Sequence, residues 1–335
     1  MNADLSTTYL GLKLKNPLVV ASSPLTERVD SLRRLEDSGA AAAVLPSLFE
    51  EQIEHEEMEM HRLHEFQTEA YAESLDFFPR VDDYHTDPAN YLRHVEAAKR
   101  ACQIPIIGSL NGSSPGGWVH YARQIEEAGA DALELNIYFV PTEVEQTGDE
   151  VERRYVDLVR AVRESVSIPL AVKIGPYFTS LPNMASQLVE AGADGLVLFN
   201  RYLEPDIDLG TLHVTPHLGL SSRDEVRLPL RWIAIVRDRI ETSLAATGGV
   251  HFADDLIKVL LAGADVAMIA SALLRHGPRH LTGLLKELRN WMEAQEYDSV
   301  EQLKGSVSHQ NCPDPSAFER ANYMKALTSY SGAYI

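Results

Sequence analysis

Cysteine is nearly absent. Two of 335 residues are Cys, Cys102 and Cys312, and neither stands in a Cys-x-x-Cys or comparable spacing. That excludes a disulfide framework and an iron–sulfur cluster held by this chain, and it fits a reducing compartment. Long apolar runs are also lacking. The most apolar stretch, residues 259–274, is interrupted by Gly263 and Asp265 and reads as a helix end, a turn and a strand. No membrane partner is expected from it. Residues 1–16 carry polar side chains where a signal peptide has its apolar segment, so a cytoplasmic location is the expectation. Positive charge is scarce too, with 30 Lys and Arg against 49 Asp and Glu, a formal net charge of -19. A polyanion is repelled by such a surface, which argues against nucleic acid as a partner. The plain meaning of the acidity is solubility.

What is present is apolar bulk, 45% of the chain, enough for one large core. One pattern recurs: a helical segment ends in Gly and a short apolar run follows. Its copies are Asp37-Ser38-Gly39-Ala40, Glu127-Ala128-Gly129-Ala130-Asp131, Glu190-Ala191-Gly192-Ala193-Asp194 and Leu261-Ala262-Gly263-Ala264-Asp265. Gly is the expected helix stop, and strands buried on both faces read as continuous apolar runs. The pattern predicts strands at 42–45, 132–137, 195–199 and 266–269, with others at 17–22, 105–109, 169–174 and 243–247. Helices are predicted at 32–37, 91–101, 118–127, 151–164, 183–190, 230–240, 254–261 and 280–293. Eight strands alternating with helices predict an α/β fold, a single (β/α)8 TIM barrel. An open doubly wound sheet is the alternative, and the lack of Gly-x-Gly-x-x-Gly after the first strand counts against it. The expected domain spans residues 1–305. Residues 50–88 form a lid-like insertion after the second strand, and 202–227 form another after the sixth. Residues 306–335 are expected to pack on the barrel as a tail.

Active sites of such barrels lie where the strands end. The residues there are Ala21, Ser22 and Ser47, then Asn111, Asn136, Lys173 and Asn200, then Thr247, Gly248, Gly249, Ala270 and Ser271. Asn donates and accepts, which suits a heterocycle with mixed edges. Lys173 adds positive charge. Gly248 and Gly249 let a backbone approach an anion, and loops after strands seven and eight form the usual phosphate site of this fold. The set predicts a phosphorylated aromatic ligand. The plain alternative for Lys173 is pairing with a carboxylate. Glu57, His61 and His64 have helical spacing, but a solvated helix face explains them and no metal is expected.

These residues resemble the dihydroorotate dehydrogenases, especially their soluble class, over roughly residues 8–300. The matching stretches are Leu14-Lys15-Asn16-Pro17, Glu134-Leu135-Asn136, Val172-Lys173-Ile174-Gly175-Pro176-Tyr177-Phe178, Thr247-Gly248-Gly249-Val250 and Gly263-Ala264-Asp265 with Ser271-Ala272-Leu273 and Gly277-Pro278. The resemblance implies FMN as cofactor, with Lys173 at the pyrimidine edge of the flavin and the Gly pair and last strand end on its phosphate. It also implies a homodimer through residues 202–227. Departures from the family pattern are specific. Phe139 stands where the family has its Cys or Ser base, with Tyr138 one position earlier, expected to point the other way. Pro46 replaces a flavin-contacting lysine. Ser221-Ser222 replaces a glycine pair near the flavin, so Ser222 joins the cofactor candidates. Glu73-Ser74-Leu75-Asp76-Phe77-Phe78-Pro79 replaces the asparagine-bearing substrate loop.

The phosphate half of the site is kept and the orotate half is rewritten. The leading expectation is an FMN-dependent oxidoreductase acting on a CH–CH type bond of a small molecule, with little dihydroorotate oxidation. Lys173 and Asn136 are its catalytic candidates, and Tyr138, Tyr177, Glu73 and His251 are weaker acid or base candidates. One alternative is an FMN-holding electron relay or partner subunit without its own small-molecule substrate, docking a redox partner protein. Another is a Schiff base on Lys173.

Overall fold

The computed structural model describes residues 3–54, 87–201 and 203–331. Eight parallel strands close into a barrel: β1 (Leu18–Val20), β2 (Ala42–Phe49), β3 (Ile106–Gly112), β4 (Ala132–Ile137), β5 (Leu170–Ile174), β6 (Gly195–Leu198), β7 (Ser243–Thr247) and β8 (Val266–Ile269). Each pairs with the next in sequence, and β8 pairs with β1. The (β/α)8 expectation is therefore met. The helices run α1 (Val29–Asp37), α2 (Pro88–Ala101), α3 (His120–Glu127), α4 (Gly148–Ser165), α5 (Leu181–Glu190), α6 (Arg227–Val236), α7 (Ala253–Ala262), α8 (Ser271–His276) and α9 (His280–Ala294).

The repeated Gly-Ala-Asp motif does more than stop helices. Each Asp accepts an N–H from the first or second residue of the preceding strand: Ile106 N–H to Asp131 at 2.7 Å, Leu170 N–H to Asp194 at 2.8 Å and Leu244 N–H to Asp265 at 2.8 Å. Each also pairs with a base from a neighbouring helix end, namely Lys99, Arg163 and Arg237. The motif thus pins helix, turn and two adjacent strands at the amino end of the barrel.

Two apolar cores result. The larger lies between strands and helices. The smaller fills the barrel interior with Val19, Val44, Ile107, Ala132, Ala171, Val197, Ala245 and Met268, and Tyr9, Leu10 and Leu14 close its floor. The floor is an antiparallel hairpin, Thr7–Tyr9 against Leu12–Leu14, turning at Leu10 and Gly11 with positive φ. The sequence reading passed over it. It also ended the second strand at 45, before Pro46. Instead β2 continues to Phe49, with a register shift between Val44 and Ser47. Pro46 has no N–H to give the ladder, and an irregularity accommodates that.

Residues 50–54 are helical and the remainder of the predicted lid, 55–86, lies outside the described residues. So do Glu57, His61, His64, Glu73, Phe77 and Phe78. Within 202–227 a second hairpin pairs Pro205–Asp208 with His213–Pro216. The chain beyond α9 returns to the barrel flank, where Ser308 is fully buried and Val307 N–H donates to the Leu261 carbonyl.

Candidate active site

Side-chain alternation along the strands decides what the barrel presents at its carboxyl end. Ile107, Ala132 and Ala171 belong to the interior core. Two and four residues on, Ser109 and Asn111, Glu134 and Asn136, and Lys173 share that inward face. Strand register lines up Asn111, Asn136 and Lys173 across β3, β4 and β5. Asn200, just past β6, donates from Nδ2 to Asn136 Oδ1 at 2.7 Å. Ser47 and Ser109 hydroxyls lie 2.8 Å apart. Five strand ends thus bring Ser47, Asn111, Asn136, Lys173 and Asn200 to one bowl.

Lys173 decides the character of this bowl. Its side chain is 12% exposed, and its nearest carboxylate is Glu134 Oε1 at 3.5 Å. The carboxylate pairing weighed for Lys173 is therefore real. Yet it satisfies neither partner, since both Glu134 oxygens lack a hydrogen bond among the described residues. An ammonium carries three donors, and Lys173 spends none on a protein acceptor among the described residues. Buried polar groups are normally satisfied, so Lys173 stands out as a candidate binding group among the described residues. Glu134 was missed as a site residue. Its signal was a charge two residues before Asn136 in an otherwise apolar strand.

On the far side, Gly248 and Gly249 follow β7 with φ of 90° and 77°. A Cβ on Gly248 would meet nothing within 4 Å, whereas one on Gly249 would come within 2.2 Å of the Val226 backbone nitrogen. The turn needs glycine at both places and leaves open space above the first. Ser271 Oγ, at the end of β8, accepts the Ser221 N–H at 3.1 Å. Ser221 Oγ lies 3.1 Å from His251 Nε2. Asp255 accepts the backbone N–H groups of His251 and Phe252 and pairs with Arg223. Ser222 is exposed and gives its N–H to Glu225. The segment after β6 is thereby latched onto the loops after β7 and β8. No sequence pattern announced the Ser221–His251 link, because its residues are 30 positions apart.

His251 is 2% exposed, and burial, then the nearby Arg275 charge, lower its pKa below the ordinary imidazole value. The unfolded chain therefore binds more protons than the folded one as pH drops below about 6.5. Stability contributed here is complete above that pH and lost as pH falls toward the depressed pKa. His251→Gln should flatten the fall in melting temperature between pH 7 and pH 5; an unchanged slope would place the titration elsewhere.

The remaining candidates sit at the rim. Ala21 is buried and bonded to Ile269, and Ser22, Thr247 and Ala270 are half-buried. Tyr177 is 68% exposed. β4 stops at Ile137, so the alternation used to orient Tyr138 does not reach it. The Phe139 ring lies under the Arg154 guanidinium, 4.0 Å from its centroid, and Arg154 also donates to the Ser113 carbonyl. Cys312 donates to a backbone carbonyl in the tail, away from the bowl. A cavity of about 650 Å³ opens beside the bowl rather than over it. It is lined by Asn200, Thr247 and Gly248 and extends to Tyr177, His217 and Arg231 without reaching Lys173. The polar ring marks the chemistry better than the cavity does, since it gathers Lys173 and the unsatisfied Glu134 carboxylate beside it. Among the described residues no group of three His, Cys, Asp or Glu could hold a metal, and no helix is long and apolar enough to cross a membrane.

A model of the family Dihydroorotate dehydrogenase matches residues 79–292. The chain belongs to the dihydroorotate dehydrogenase family. It is 26% identical over 311 residues to the catalytic subunit of dihydroorotate dehydrogenase B (NAD(+)) from Thermoplasma acidophilum, covering 90% of this chain and 98% of that one. To the corresponding subunit of Bacillus pumilus it is 31% identical over 207 residues, 60% of this chain and 66% of that one. It is 22% identical over 344 residues to the NAD-dependent dihydropyrimidine dehydrogenase subunit PreA of Escherichia coli, covering 93% of this chain and 79% of that one. This dihydroorotate dehydrogenase family member is thus an oxidoreductase by kinship.

Proposed function

We propose that the chain is an FMN-dependent oxidoreductase that acts on a CH–CH type bond of a small molecule. The observation that carries this reading is Lys173, a nearly buried ammonium with unspent donors inside a ring of Asn111, Asn136 and Asn200. A flat heterocycle with a mixed donor and acceptor edge satisfies those groups, and FMN supplies hydride transfer when bound. Lys173 attracts negative charge at the pyrimidine edge in a partly dry site. Asn136 and Asn200 orient the edge through their shared hydrogen bond. Ala21, Ser22 and Ser47 border the ring. Thr247, Gly248, Gly249, Ala270 and Ser271 cradle the phosphate, with Ser222 at its outer edge. Phe139, a hydrocarbon held by Arg154, takes the place of a proton acceptor, so the substrate is more apolar than dihydroorotate. The test is titration with FMN and with riboflavin. FMN should saturate one site per chain and riboflavin should bind at least tenfold more weakly; equal affinities would sink the phosphate assignment.

A second reading keeps the FMN site but passes its electrons to a partner subunit. What supports a partner is that the relatives are named as subunits, one a catalytic subunit and one a subunit PreA, each with NAD in its name. A cytoplasmic location fits both readings. In each the barrel holds the cofactor, the chain beyond α9 braces the flank, and 202–227 forms a homodimer contact. The hairpin of that segment exposes Ile207, Leu209, Leu212 and Val214, an apolar surface that a second copy would cover. Leu209→Asp with Leu212→Asp should halve the sedimenting mass, and an unchanged mass would remove the hairpin from the contact.

A further inference from the structure

Glu134 is a carboxylate with no hydrogen bond and almost no water. It is 1% exposed, it lies one inward position below Asn136 on β4, and neither oxygen has a donor among the described residues. Beneath it the Tyr9 phenol is wholly buried in the barrel floor, its oxygen also without a partner among the described residues. Burial first, and the Glu134 charge next, hold the Tyr9 proton well above the usual phenol range. The carboxylate therefore acts along the barrel axis, between an apolar floor and Lys173 above.

Desolvating a carboxylate is costly unless an opposite charge compensates it. Lys173 Nζ, 3.5 Å from Oε1, is the cation that does so. The separation is too long for a strong hydrogen bond, so the pair is coupled by charge and leaves the ammonium's donors unspent among the described residues. A lone Lys173 would present a full positive charge there. Lys173 with Glu134 behind it presents a dipole whose positive end faces the bowl.

We propose that Glu134 is the positioning residue of Lys173, and that by offsetting its charge it holds down the preference of the strand-end ring for reduced over oxidised flavin. The inference rests on the flavin reading above. Glu134 does not itself touch the flavin; it acts through the lysine. The direction follows from charge. The reduced cofactor is the more negative form, so Lys173 favours it and Glu134 opposes it. Removing the carboxylate charge should raise the midpoint potential of the bound flavin, and removing the ammonium should lower it.

The experiment measures that potential, with the dissociation constants of both redox forms, in the wild-type holoprotein, Glu134→Gln, Lys173→Met and the double variant. Glu134→Gln should favour the reduced form at least tenfold more than wild type does, a rise of about 30 mV for a two-electron couple. Lys173→Met should move the opposite way, and the double variant should fall between them, as expected of residues that act as a unit. Glu134→Asp, which keeps the charge, should stay closer to wild type than Gln does. A purely structural Glu134 would change melting temperature and leave the potential alone, so Glu134→Gln with bound flavin and an unmoved potential overturns this inference and leaves the flavin reading intact. Wild-type protein that binds no flavin overturns both. If the Gln variant does not fold, the wild type gives a second readout. Its reduced-minus-oxidised infrared difference spectrum should contain a carboxylate band that Lys173→Met alters, and a spectrum without one overturns the proposal.

Discussion

Dihydroorotate, mixed without oxygen into the FMN-loaded protein, should leave the flavin absorbance standing on the time scale of a catalytic turnover. Oxidising that substrate needs a hydride acceptor and a group that removes the proton from the neighbouring carbon. A positioned base contributes roughly 10²–10⁴-fold. Here the position expected to hold it carries Phe139, whose ring is fixed under Arg154. His251 is no substitute, because it is buried on the opposite rim against Ser221. Stopped-flow bleaching should therefore be slower than that of a base-bearing enzyme by about the same 10²–10⁴-fold. Complete bleaching within a second would show that another group removes the proton, and the claim of a rewritten substrate half would fail.

Gly249→Ala should be strongly destabilising. Its Cβ would stand 2.2 Å from the Val226 nitrogen and 2.9 Å from the Val226 Cα. Both are backbone atoms and cannot swing aside, and the φ of 77° is one that alanine resists. Strain and overpacking together cost about 2–4 kcal/mol, or about 3–6 °C in melting temperature for a chain of this length. Gly248→Ala is the matched control. It has a similar positive φ, but its Cβ would meet nothing within 4 Å. It should cost about 1 kcal/mol of stability and lose FMN affinity instead, because the new methyl group enters the space assigned to the phosphate. Two variants with the same stability and the same affinity would show that this turn has no ligand to admit.

Much of this was legible in the sequence, for identifiable reasons. The barrel could be read because Gly129-Ala130-Asp131, Gly192-Ala193-Asp194 and Gly263-Ala264-Asp265 repeat one local solution, and β4, β7 and β8 fall within the predicted bounds. Lys173, Asn136 and Asn111 could be read because a polar residue in an apolar strand is conspicuous. Most helix starts were placed late, although α9 begins at His280 as expected. α4 begins at Gly148 behind a Thr147–Glu150 capping box, three residues before its apolar face begins. What stayed hidden depends on contacts between distant residues. Nothing local in Glu134 says that its oxygens find no donor. Ser221 gave no sign of reaching His251 and Ser271. Tyr9 alternates with its neighbours like any strand residue, and its place on the barrel floor follows from closure alone. Pro46 misled for the opposite reason: a strong local signal to end a strand was overridden by continued pairing with β3.

The most direct measurement is the visible absorption spectrum of the protein as purified, followed by identification of the chromophore released on denaturation. The account predicts a yellow protein that yields FMN at close to one per chain. A colourless protein that also fails to take up added FMN would contradict it, and Lys173 with its ring of asparagines would need a different ligand.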